Sequence, residues 1–345
     1  MERTITDTPN AVQTSPLHPA LSDDRNRPVI TRLASLLTLL ALLSGCSLLW
    51  WRKPKDIPPP IPPPQSLRIQ EQFKAVLSQD DQAMQQIGHW LDESRDIRRK
   101  DPSFAFELGQ QIRRRLRKVR IAYEEFLEQH PDHVGARSAF ASFLTCTRDE
   151  KGALTQWNRA LLSDDKNAAA WNNLANHYGS LALEGGRSDY IQRAFNAYDQ
   201  ALAITPNEPL YHNNLAVALG LEDFRREAAA HYQISENKLP ERALDHYKKC
   251  HALAPDDFVY AADLAEAYLS VRPLRKAKAH AMWQTARKLT EDPRQLQWVE
   301  LQAAFLEIED GQYTKAELLL KKVQDPTLDQ LKAKVVSAIQ AARRE

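Results

Sequence analysis

Four segments of this 345-residue chain fall into register when they are stacked. "RSAFASFL" (137–144), "WNNLANHY" (171–178), "HNNLAVAL" (212–219) and "AADLAEAY" (261–268) put Phe140, Leu174, Leu215 and Leu264 in one column. Ala141, Ala175, Ala216 and Ala265 fill the next. Downstream, a further alanine opens a second series at Ala153, Ala194, Ala243 and Ala277. Trp157, Tyr198 and Tyr247 follow it, then Ala160, Ala201 and Cys250, and Pro206 and Pro255 close two of the units with Asp165 in their column. The spacings of three and four are helical. Alanine columns let paired helices approach closely, while the large columns fill the space between units that each touch only their neighbours. Such a chain has to stack, because one unit alone cannot bury its apolar face.

These columns resemble the tetratricopeptide repeat, whose signature is W-x2-L-G-x2-Y, then A-x3-F and a closing Pro, over about 34 residues. The resemblance implies an all-α fold, a right-handed α-solenoid of antiparallel helix pairs. Units are expected near 134–167, 168–208, 209–257, 258–293 and 297–326, the last carried by Gly311, Tyr313 and Ala316. In the fourth unit Ala279, Trp283 and Ala286 fit the second helix better than Ala277 does. Residues 67–133 read as helical, with Tyr123 and Pro131 marking a degenerate repeat, and 327–345 as a capping helix.

The units are uneven in one place. The alanine columns lie 12 residues apart in units one and four, 19 in unit two and 27 in unit three. Seven extra residues are about two helical turns, so each helix of unit two gains one turn, with Gly185-Gly186 at the hairpin's tip. The surplus of unit three, EDFRREAAAHYQI (222–234), either continues the first helix or forms a short extra one, and Pro240 starts the second helix. Insertions on one side of a solenoid form an edge that often binds, so Phe224, Arg225, Arg226 and Tyr232 are candidate contact residues.

In the repeat family the concave groove is lined from the first helix of each pair. That points to Ser138, Ser142, Asn172, Asn176, Asn213 and Glu266, with Val217 and Ala262 in the same columns, as groove positions for a protein partner. An unused, solvated groove is the plainer alternative. Asn173 and Asn214 match a structural asparagine of the family and are not counted as ligands. His246, Cys250 and His251 share a helix neighbourhood, but Cys250 replaces an alanine of a buried column and reads as a packed thiol rather than a metal ligand. Cys146 also reads as core. No disulfide joins the two, since they belong to units one and three.

The amino-terminal end sets the expected compartment. LASLLTLLALL (33–43) carries no charge and follows Arg25, Arg27 and Arg32, as in a secretory signal. Its exit, Leu43-Ser44-Gly45-Cys46, resembles the lipobox of bacterial lipoproteins, which implies residues 1–45 as signal peptide and a covalent lipid (palmitate) on Cys46. Ser47 after the cysteine implies the outer membrane. About thirty residues precede the apolar run, more than such signals carry, so a later start, for example at Val29, is expected. A single-pass span over 33–51 is the alternative, although basic residues flank both of its ends. Residues 46–66 then hold the anchor and a linker, with Trp50 and Trp51 suited to a membrane interface and seven prolines between Pro54 and Pro64 forming a stiff spacer.

Net charge is +1 and the three cysteines form no CxxC pair, so neither nucleic acid nor a zinc module is indicated. No catalytic motif is present, and no cofactor beyond the covalent lipid is expected. An enzyme would need a cluster within 67–130, with His89 and Glu107 its candidates. The basic run RRRLRKVR (113–120) reads either as an anionic-lipid contact or as a solvated face paired with Glu124 and Glu125. The sequence therefore points to a membrane-anchored scaffold of the bacterial cell envelope, working in pilus, secretion or outer-membrane assembly, with protein partners in the periplasm or outer membrane.

Overall fold

The computed structural model describes residues 64–185 and 187–343. Cys46, the apolar run, Trp50 and Trp51 lie outside them. Among the described residues there are fifteen α-helices and no strand, and none of the helices is long and apolar enough to cross a membrane.

The first pair is long: α1 (Pro64–Glu93) runs antiparallel to α3 (Pro102–Gln129), with the short α2 (Arg95–Lys100) at the turn. The five repeats follow. They are α4 (Val134–Cys146) with α5 (Glu150–Ser163), α6 (Ala168–Gly185) with α7 (Ser188–Ile204), and α8 (Pro209–Gly220) with α10 (Leu239–Leu253). Then come α11 (Phe258–Ser270) with α12 (Lys276–Lys288), and α13 (Pro293–Glu309) with α14 (Tyr313–Leu320). A last helix, α15 (Asp329–Ala342), lies on α13 and α14. The principal contacts join the helices of one hairpin or of adjacent hairpins, which is the arrangement that defines a solenoid. The fold is an all-α solenoid of the tetratricopeptide type.

Local chemistry explains the helix starts. The carboxylates of Asp101, Asp149, Asp257 and Asp292 accept from backbone N–H groups of the first turn of α3, α5, α11 and α13, satisfying donors that have no partner inside the helix. Prolines 102, 209 and 293 occupy first-turn positions where no N–H is needed. The same logic lets α1 begin at Pro64, so residues 64–66 are helix rather than linker. Between α13 and α14, Gly311 takes φ +71° while Gln312 N–H donates to Glu307 O at 2.7 Å. That is a Schellman turn, and it needs a residue tolerant of positive φ.

The columns form the core. Ala141, Ala175, Ala216 and Ala265 are all at 0% exposure, with Phe140, Leu174, Leu215 and Leu264 buried beside them. In unit four Ala279, Trp283 and Ala286 are buried, whereas Ala277 faces solvent. The extra residues of unit two lengthen both helices, to 18 and 17 residues against 13 and 14 in unit one. Cys146 corrects the sequence reading: it closes α4 on the exposed side. Cys250 is fully buried on α10, its Sγ 3.2 Å from Pro209 O.

Candidate functional site

The first helices α4, α6, α8, α11 and α13 form the face on which the candidate groove residues lie. A ladder of side-chain hydrogen bonds crosses it from unit to unit. Between α4 and α6, the Thr145 hydroxyl lies 3.1 Å from Nδ1 of His177. Between α6 and α8, Asn214 Nδ2 donates to Asn172 Oδ1 at 3.0 Å, while Asn172 Nδ2 donates to Asn173 Oδ1. Between α8 and α11, Asn213 donates to the Asp263 carboxylate. Between α11 and α13, Gln302 Nε2 donates to Glu266 Oε1 at 3.3 Å.

The rungs follow a rule. The residue two before the Leu-Ala pair in one unit meets the residue just before that pair in the next: Asn172 with Asn214, Asn213 with Asp263. Two units break the pattern for visible reasons. Ala262 has no polar group to offer, so Gln302 reaches Glu266 instead. Ser138 makes no such rung, and its buried hydroxyl has no partner. The ladder uses up several predicted contact residues. Asn172 and Asn213 are 1% and 5% exposed and serve inter-repeat packing rather than standing open to a partner. Asn176 accepts from the Tyr198 hydroxyl. The Ser142 hydroxyl donates to Ser138 O, but its position, like those of Val217 and Glu266, stays partly open.

Asp263 and Glu266 give this face a marked electrostatic feature. They sit one turn apart on α11. Burial pushes Asp263 up to about 7 and Glu266 up to about 8, with the neighbouring Asp263 charge adding to the latter. The uncharged form of Glu266 is thereby favoured. An arriving ammonium or guanidinium group would restore the charge, because an opposite charge nearby favours the ionised form. The sequence reading missed Asp263, which occupies the column set aside as structural. What reveals it is the placing of two acids one turn apart on a face packed between α8 and α13, which the sequence alone does not show.

The insertion of unit three folds inward. A 3-10 turn (Glu222–Phe224) and α9 (Arg225–Tyr232) lie against α7, the helix that unit two lengthened. Phe224 is 1% exposed and meets Phe195 edge to face, ring centres 6.3 Å apart. Tyr232 donates to Asp199 at 3.0 Å and lies under the Arg242 guanidinium, while His231 pairs with the same Asp199. Arg225 pairs with Glu222 at 2.6 Å. Of the four predicted edge residues only Arg226 is exposed, its side chain 85% so, with Nε 3.6 Å from the Glu227 carboxylate. The insertion is thus a cover over the lengthened hairpin, not a free edge.

His246 of the candidate metal group is drawn into the packing between α8 and α10. His246 is tied through Nδ1 to His212 Nδ1 at 2.9 Å, and His212 Nε2 donates to Pro206 O at 2.8 Å. That leaves His212 Nδ1 as acceptor, so His246 supplies the proton between them. Burial, the neighbouring imidazole and Arg242 hold His246 down to about 3, and burial lowers His212 as well. Among the described residues no three His, Cys, Asp or Glu side chains gather as a metal site. His89 pairs on the surface with Glu93 of the same helix, and Glu107 is exposed on α3. In the basic run, Arg120 pairs with Glu124 and, at 2.7 Å, with Asp149, while among the described residues no ion pair reaches Glu125.

The stacked hairpins and the ladder that joins them define a helical-repeat protein. No protein-family model matches the chain, and no curated protein matches it. Among solved structures it is similar to one described as the functional characterization of Pseudomonas aeruginosa pilF: 18% identity, 74% of this chain and 99% of that one covered, TM-score 0.47. It is likewise similar to PilW, described as a widely conserved type IV pilus biogenesis factor, with 16% identity, 66% and 95% covered and TM-score 0.47. YrrB, described as a TPR protein with an unusual peptide-binding site, gives 15% identity, 65% and 98% covered and TM-score 0.44. At these values the likeness adds nothing to what the helices of this chain already show.

Proposed function

We propose that the protein is a membrane-anchored scaffold of the bacterial cell envelope, holding a protein partner along the face of α4, α6, α8, α11 and α13. The observation that carries this reading is the unbroken run of five first helices, pinned unit to unit by side-chain hydrogen bonds. A rigid, continuous face with Ser142, Val217 and Glu266 partly open along it suits an extended peptide or a partner helix bearing a basic residue opposite α11. Anchoring through a lipid on Cys46 is supported by the lipobox-like sequence Leu43-Ser44-Gly45-Cys46.

The test is a pull-down from detergent-solubilised envelope with wild type and with Ser142→Arg/Val217→Arg, whose bulky charges stand on the open positions. The double variant should keep its helical circular dichroism and lose its main partner. Recovery of identical partners by a folded double variant would show that this face is not the one used. Radiolabelled palmitate should mark wild type and not Cys46→Ser, and equal labelling would remove the anchor from the proposal.

A further inference from the structure

The first hairpin is out of proportion to the rest. α1 and α3 have 30 and 28 residues, about twice the 13 and 14 of α4 and α5. At about 1.5 Å per residue, roughly 20 Å of hairpin extends past unit one. The pairing is fixed by Gln72 with His130, Asp80 with Tyr123 and Gln86 with Arg115. Packing onto unit one involves only the base, where Tyr123 stacks on Phe140 and Phe126 meets His133. Between Pro102 and Lys118, α3 buries Leu108 alone.

The projecting tip has a composition unlike the rest of the chain. Residues 95–120 hold ten Arg and Lys against three Asp and Glu, although the whole chain is only +1. Arg95 is matched by Asp92, Arg98 by Leu91 O and the Ser94 hydroxyl, and Arg115 by Gln86. Among the described residues no acid pairs with Arg99, Lys100, Arg113, Arg114 or Arg117. Two large apolar side chains stand out at the same end: Ile97 is 50% exposed and Phe106 63%.

We propose that this tip docks on an anionic lipid bilayer, with Ile97 and Phe106 entering the headgroup region and Arg99, Lys100, Arg113, Arg114 and Arg117 meeting lipid phosphates. Exposed apolar side chains ringed by basic ones bind such surfaces by partial insertion together with electrostatic attraction. Ten basic against three acidic residues over 95–120 complement a densely anionic surface rather than an ordinary protein face of mixed charge. Docking by the tip does not rest on the lipid at Cys46; it adds a second, charge-dependent contact. It would lay the hairpin across the membrane surface.

The full chain is mixed with vesicles of phosphatidylcholine alone or with added phosphatidylglycerol, and amine acetylation is followed at Lys100 and at the distant, exposed Lys321. Lys100 should react about tenfold more slowly on the anionic vesicles, with Lys321 unchanged, and high salt should restore its rate. Ile97→Ser/Phe106→Ser and Arg99→Gln/Arg113→Gln, all at exposed positions, should each lose the protection while keeping native circular dichroism. Equal reactivity of Lys100 on both vesicle types overturns the proposal. So does protection that appears only when an envelope protein fraction is added. Co-sedimentation with neutral vesicles reads the amino-terminal attachment separately: its absence, with Lys100 still protected on anionic vesicles, sinks the anchor and leaves the tip standing.

Discussion

At the scale of single residues, the chain carries buried polar groups that its packing only partly satisfies. Asp80 of α1 is 8% exposed; its Oδ2 accepts from the Tyr123 hydroxyl at 2.7 Å and its Oδ1 has no partner. Burial pushes its carboxyl up to about 6, against the lowering effect of that hydrogen bond. The sign follows directly. Below about pH 4 both folded and unfolded chains hold the proton, and nothing is lost. As pH rises to about 6 the unfolded chain releases it first, so stability falls, and above that the full penalty applies. Asp80→Asn should therefore stabilise the protein at pH 8 by up to about 3 kcal/mol, for a shift of about two pKa units, and give little gain at pH 4. Urea unfolding at the two pH values measures this, and an equal effect at both would refute it. None of this was visible in the sequence, where Asp80 is one polar residue on a helical face. The same gap explains Asn172 and Asn213. A column assigns a residue to a helix face, but not to the neighbouring side chain that takes its hydrogen bonds.

At the scale of elements, the alanine and leucine columns were legible because each is set by a short-range repeat of the sequence. The columns lie buried along the helices, and in unit four the second helix turns Ala279, Trp283 and Ala286 inward. The two irregular stretches were read as independent insertions. In the fold they answer one another: unit two's added turns extend α7, and unit three's extra residues cover it through Phe224, Phe195 and Tyr232. That coupling is a contact between residues about thirty apart, which no local period records. Phe224→Ala should cost about 3–5 kcal/mol, as expected for a fully buried aromatic ring, whereas Arg226→Ala should stay within about 0.5 kcal/mol. Thermal unfolding of the two variants distinguishes a cover from a free edge. If Phe224→Ala melts with wild type, the insertion contributes no core.

At the scale of the whole molecule, a stack whose units touch only their neighbours has no central core to lose, so damage should stay near where it is made. The carboxy-terminal end tests this. Helix α15 buries Leu331, Val335 and Ile339 with Leu301, Phe305 and Leu320 of unit five. Val335 is at 0% exposure, so Val335→Asp places a carboxylate among apolar side chains with no partner and should detach the helix. Amides of α13 and α14 would then exchange faster, because one face of unit five loses its cover. Amides of α6 and α7 should keep their wild-type protection, since two whole hairpins, α8 with α10 and α11 with α12, lie between them and the damage. Hydrogen exchange resolved by peptide reads both regions in one experiment. Faster exchange in α6 and α7 as well would mean that the repeats unfold as a single cooperative body, and the ladder of hydrogen bonds across the first helices would then be the contact that joins them.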